Sequence, residues 1–185
     1  HEGNAYAVVQ IGDQCWLKEN MRATTNVNGT SILQKPASGN SNTAQRAYFY
    51  SNDSAYYVKY GCLYNWPAVM NINDQRTNFT YPQRGICPQG WHVPTMDEWN
   101  QMLEAGTGIN TTDVGVGKLI GGCDWVSTSI GSQPGNYAYP DRNNSGLSVL
   151  PAGWYVHNPA GGYNNSFLHV SDAVYYWSAT SKDQQ

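Results

Sequence analysis

The spacing of apolar positions changes along this chain, and each spacing predicts a different element. Near the start they come in short blocks. Tyr6-Ala-Val-Val-Gln-Ile11 reads as a strand, and Gly12-Asp13 turns the chain into a second, Gln14-Cys15-Trp16-Leu17. A Gly-Asp pair between β-formers predicts a hairpin. Residues 23–46, rich in Thr, Asn, Ser and Gly, lack apolar periodicity and read as a long surface excursion with little core of its own. A short helix is expected over 65–70, where Pro67 suits only a first turn. A stronger helix opens at Thr95, because Thr95-Met96-Asp97-Glu98 is a capping box. Trp99, Met102 and Leu103 then recur at helical spacing as an inward face, and Gly106 is the expected end.

Beyond Gly106 the helical spacing disappears. Short β-like runs at 147–150, 154–156 and 173–177 alternate with Gly, Asn and Pro clusters. The loops between them, 131–145 and 158–166, are long and polar, as loops that carry function tend to be. Few helices, many short strands and a loop-dominated second half predict an α+β domain spanning residues 1–185.

Composition sharpens the functional expectation. Charged residues make up 12% of the chain, about half the usual share, while aromatic residues reach 13%, with Tyr 14 and Trp 7 against Phe 3. Tyr and Trp pair a flat apolar body with a polar handle, and Asn, Ser and Gly add adaptable hydrogen bonds. That mixture suits a surface that must be both adhesive and wet. A net charge of −3, with Lys and Arg scattered singly, argues against nucleic acid. No stretch approaches the ~20 apolar residues a membrane span needs. The opening His1-Glu2-Gly3-Asn4 has no signal-peptide character. Cys15, Cys62, Cys87 and Cys123 lack metal-type spacing and read as disulfide formers in an oxidising compartment. Three pairings are open to four cysteines.

Several segments, taken in order, are more specific. They are Ile11-Gly-Asp-Gln-Cys-Trp-Leu-Lys-Glu-Asn-Met21, Tyr60-Gly-Cys-Leu-Tyr-Asn-Trp66, Gly85-Ile-Cys-Pro-Gln-Gly-Trp-His-Val-Pro94, Leu150-Pro-Ala-Gly153 and Tyr176-Trp-Ser-Ala-Thr180. The chain resembles the Fibrobacter succinogenes major paralogous domain, found in bacterial surface proteins and lipoproteins. The resemblance implies a C-type-lectin-like fold, also that of formylglycine-generating enzymes: two helices flanking a small twisted antiparallel sheet, with long loops bearing a ligand site. It places Trp16, Trp91, Trp99 and Trp177 within motifs, where a core role is expected. It also implies further strands after the Trp-Ser-x-Thr motif, so the domain is expected to lack its last strands and to present an open edge. Because Cys87 resembles a cysteine that pairs with a later one, Cys15–Cys62 is the implied disulfide.

Catalysis finds little support. Residues 124–185 contain no cysteine, whereas formylglycine-generating relatives need a reactive pair there. His1, His92, His157 and His169 show no metal spacing, and His92 reads as a structural histidine. Calcium is the one cofactor left open. Gln133-Pro134-Gly135-Asn136 only echoes a lectin calcium loop, and Asp141 is the single acid nearby in sequence. Two polar-aromatic clusters are the candidate ligand-binding residues. Tyr137, Tyr139, Asp141, Arg142 and Asn143 form one, and Tyr155, His157, Asn158, Tyr163 and Asn164 the other. The expected function is a non-enzymatic, extracellular ligand-binding or adhesion module at a bacterial cell surface, its loops 131–145 and 155–169 held together to take a glycan or a protein. A structural envelope or pilus-tip piece completed by a partner strand is the first alternative. A formylglycine-generating-type enzyme is the second.

Overall fold

The computed structural model describes residues 1–34, 44–48, 54–72, 79–107, 122–128, 134–138, 143–158 and 163–181. The first hairpin forms where its alternation and turn predict: β1 (Val8–Ile11) pairs antiparallel with β2 (Gln14–Leu17), with Ile11 opposite Gln14. Gly12 sits at φ +58°, and a Cβ there would come within 2.7 Å of the Ala105 side chain, so the turn requires glycine on two counts. β3 (Leu33–Gln34) runs parallel to β4 (Gln45–Tyr48), which pairs antiparallel with β5 (Cys62–Tyr64). Between β4 and β5 lies a helix without a sequence expectation, α1 (Ser54–Tyr60). Its Tyr56 and Tyr60 rings stack 5.8 Å apart at i, i+4 spacing, and Gly61 at φ +73° closes it.

The two expected helices are present. α2 (Trp66–Met70) is capped by Asn65, whose side chain accepts from the Ala68 amide, and Asn71 ends it in the left-handed region. α3 (Met96–Thr107) opens on the capping box. The Thr95 amide donates to Glu98 Oε2 at 2.7 Å, while the Glu98 amide donates to Thr95 Oγ1 at 3.2 Å. The helix runs one residue past Gly106. Met102 is fully buried, with Trp99 and Leu103 packed beside it.

The second half departs further from expectation. β6 (Trp154–Asn158) pairs antiparallel with β7 (Tyr163–Leu168), so part of the expected loop 158–166 is strand. Neither 147–150 nor 173–177 forms a strand. In the first, Ser148 sits at φ +60°, held there by Asn143, whose Oδ1 accepts the Ser148 amide at 2.8 Å. A left-handed residue inside a four-residue run breaks its ladder. The second contributes only an isolated bridge between Val174 and Gly153.

The architecture is α+β, with short helices and small sheets. Among the described residues the strands divide into three sheets, one holding a parallel pair, where the resemblance implies a single antiparallel sheet. The core joins both halves of the chain. Ile11 and Met102 pack with Leu147 and Val149, and Val69, Met70 and Val93 pack with Ala179. Residues 23–46 contribute more than surface, because Ala23 and Ile32 are buried against Ala68 and Ile86. All four cysteines are free, so the implied Cys15–Cys62 bridge is not formed. Cys15 is exposed on β2, whereas Cys62 is buried at the start of β5 in a different sheet.

Candidate functional site

The walls of the site come from segments that the fold brings together from distant parts of the chain. β2, β5, the Trp91–Pro94 stretch, the start of β6 and residues 174–177 enclose an open cleft of about 1510 Å³. Its C-terminal wall is fixed by bonds to the capped helix: the Ala179 amide donates to the Pro94 carbonyl at 2.7 Å, and the Met96 amide to Thr180 Oγ1 at 3.0 Å. The second of these satisfies a first-turn amide that α3 itself cannot pair.

The cleft is aromatic. Trp16 lies 4.7 Å from Trp99, and Trp99 stacks on Tyr176 at 5.4 Å. Tyr175 meets Trp154 edge-on at 4.5 Å, and Trp177 tilts against Trp66 at 5.6 Å. Three of these rings bond back to the protein through their polar handles. Trp177 Nε1 donates to the Tyr64 carbonyl at 2.8 Å, Tyr176 Oη to Asn20 Oδ1 at 3.1 Å, and Trp16 Nε1 to Gln14 Oε1 at 3.2 Å. Ring orientation is thus fixed from within. Trp177 was expected in the core but is 48% exposed, and Tyr175 is 59% exposed.

The ionisable groups around the cleft are held in structural roles. His92 Nε2 lies 2.7 Å from Glu98 Oε1, so this histidine braces the helix cap, as expected of a structural histidine. Burial pushes Glu98 up, but the Thr95 amide, the His92 ring and the Thr95 hydroxyl outweigh it and hold the carboxyl below its ordinary range. Cys62 and Cys87 also line the cleft, and burial pushes both thiols up to about 11. For Cys62 that burial outweighs the opposing pull of Tyr64 and Arg46. Both stay protonated at neutral pH, and a thiol is a far weaker nucleophile than a thiolate.

This chain belongs to the Fibrobacter succinogenes major domain family. The match covers residues 9–185, and so takes in every wall of the cleft. No curated protein and no solved structure matches.

In this family member the expected ligand residues fall into distinct groups. Tyr155 lines the cleft, its ring edge-on to Phe167 at 5.0 Å. Tyr137 is 43% exposed, and its hydroxyl donates to the Trp125 carbonyl at 2.7 Å. Asn143 is a turn residue clasping Ser148 through both ends of its amide. Tyr139, Asp141 and Arg142 lie outside the described residues. His157, Asn158, Tyr163 and Asn164 have their backbone in the β6–β7 hairpin, at and beside its irregular end. Sequence reasoning missed the cleft residues Trp154, Tyr175 and Tyr176. Their signal was the unbroken Tyr175-Tyr176-Trp177 run, since three successive bulky rings cannot all point into one core.

Asn136 Oδ1 accepts the Ala138 amide, and no group of three or more Asp, Glu, His or Cys gathers among the described residues. Gln133 and Asp141 lie outside the described residues.

Proposed function

We propose that this chain is a non-enzymatic ligand-binding or adhesion module displayed at a bacterial cell surface, built on a C-type-lectin-like version of the α+β plan. The observation that carries the reading is the cleft. Large aromatic rings stand exposed while their polar handles are tied to the protein, so little side-chain entropy remains to be lost on binding. Exposed clusters of this kind mark interaction sites. Beside them, the Cys62 and Cys87 thiols are held protonated by burial and the Glu98 carboxylate caps α3, while the Cys15 thiol is exposed.

The reading is tested by probing immobilised, folded chain with arrays of glycans and of cell-surface proteins, in calcium and in chelator. Selective, saturable binding weakened by Tyr155→Ala is the expected result. Silence in every arm, or turnover of a presented compound, overturns it. One observation favours a second reading, an envelope component completed by a partner strand. Among the described residues β2 has only β1 as a neighbour, and its residues line the cleft. Concentration-dependent assembly that an added strand peptide blocks would select it.

A further inference from the structure

We infer that the cleft takes a linear, uncharged glycan several sugar units long, laid along the Tyr175-Tyr176-Trp177 run. The inference rests on the ligand-binding reading and names the ligand class.

Three consecutive residues reach three different aromatic partners: Tyr175 to Trp154, Tyr176 to Trp99 and Trp177 to Trp66. The run therefore spreads three aromatic pairs along the cleft in place of a single aromatic cage, with Tyr176 turned to the side opposite Tyr175 and Trp177. All three are substantially exposed, at 59%, 44% and 48%. Since two of them have already used their polar handles internally, what they offer a ligand is ring face and edge. Ring faces pack against apolar C–H surface, and a sugar chain presents such surface at every unit, with hydroxyls around its rim.

Size and charge narrow the class. A cleft of about 1510 Å³ exceeds the ~300–1,000 Å³ typical of small-molecule pockets, which points to an oligomer. The charges lining it are of both signs and nearly balance, Asp13, Glu19 and Glu98 against Lys18 and the buried Arg46. Glu98 holds the cap and His92, Glu19 pairs with Arg22 at 3.2 Å, and Arg46 Nε donates to the Ile32 carbonyl. Asp13 and Lys18 face the cleft with opposite sign. A charged glycan would find no matching field there.

A peptide strand fits the same wall less well. It needs unpaired backbone beside residues 175–177, and β5 there is already engaged: the Cys62 amide donates to the Met21 carbonyl, and the Tyr64 carbonyl accepts Trp177. That leaves a strand the edge of β2, away from the contacts of Tyr175 with Trp154 and of Trp177 with Trp66.

The test is calorimetric and fluorescence titration of the whole chain with cellohexaose, mannohexaose and xylohexaose, their disaccharides, and oligogalacturonate as the charged control. One neutral hexasaccharide is expected to bind, to shift tryptophan emission, and to bind at least roughly tenfold more tightly than its disaccharide. Tyr175→Ala should weaken it roughly threefold to tenfold, the value of one lost ring contact. Tyr175→Phe, which keeps the ring, should restore it, and unchanged unfolding midpoints would exclude misfolding. Preference for oligogalacturonate, disaccharide binding equal to hexasaccharide, or indifference to Tyr175→Ala overturns the inference. So does silence toward all three hexasaccharides. If the array experiment meanwhile yields a protein or charged ligand, the ligand-binding reading stands and only the glycan class falls. Silence in both experiments ends both.

Discussion

Residues 1–107 and residues 122–181 are held in place by different means. In the first region local signals start and stop the main elements, although long-range bonds such as Asn20 to the Tyr60 carbonyl also join them. A two-residue turn makes the β1–β2 hairpin, Asn65 and Asn71 bracket α2, and a reciprocal Thr95–Glu98 box starts α3. The second region is ordered largely by bonds to distant partners. Ala179 and Thr180 grip the start of α3, Tyr176 reaches Asn20, and Asp124 at φ +68° holds Lys59 at 2.6 Å. Local instructions build a frame, and long-range ones hang an aromatic wall on it. The exposed rings therefore belong to the wall.

Where the two regions share a core, the contrast should vanish. Met102→Ala removes a fully buried side chain touching Ile11 from one region and Leu147 and Val149 from the other. It should cost about 2–5 kcal/mol, seen in urea unfolding as one shifted transition. Two separated transitions would show that the regions unfold independently. A frame change comes next. Thr95→Ala loses the cap and should cost about 0.5–2 kcal/mol by the same assay.

Acid probes the same cap. The folded-state pKa of Glu98 is depressed, so its contribution is present above the unfolded carboxylate value and is lost as pH falls through the folded one. Stability should decline there on acidification, and Glu98→Gln should flatten that part of the profile. A wall change is smaller still. Tyr176→Phe removes only the hydroxyl bond to Asn20 and should cost about 0.5–1.5 kcal/mol. Tyr175→Ala, whose ring is the most exposed of the three, should change stability by about 0.5 kcal/mol or less.

The same division explains what could be read in advance. The hairpin, α2 and α3 follow from residues within a few positions of one another, so the sequence exposes them. α1 was missed because residues 54–60 are a short run with three Tyr and no clear apolar spacing, although Ser51-Asn52-Asp53-Ser54 offers capping residue types and Gly61 marks the helix end. The expected strand at 147–150 failed because Ser148 is bent by a side chain five residues away. The cleft was illegible for a related reason. Trp177 meets Tyr64, and Tyr176 meets Trp99, only through tertiary packing, and each taken singly looks like an ordinary core aromatic. The polar loop residues drew attention by composition, yet Asn143 proves to be a turn clasp.

The central claim is that recognition lies in the aromatic cleft, away from the loop around Tyr137. The most direct measurement is a tryptophan-fluorescence titration with the neutral hexasaccharides on three proteins: the unaltered chain, Tyr175→Ala and Tyr137→Ala. The account predicts binding that weakens in Tyr175→Ala and stays unchanged in Tyr137→Ala, with all three equally stable. Binding that is lost in Tyr137→Ala and preserved in Tyr175→Ala would contradict it and move the recognition face to the loops.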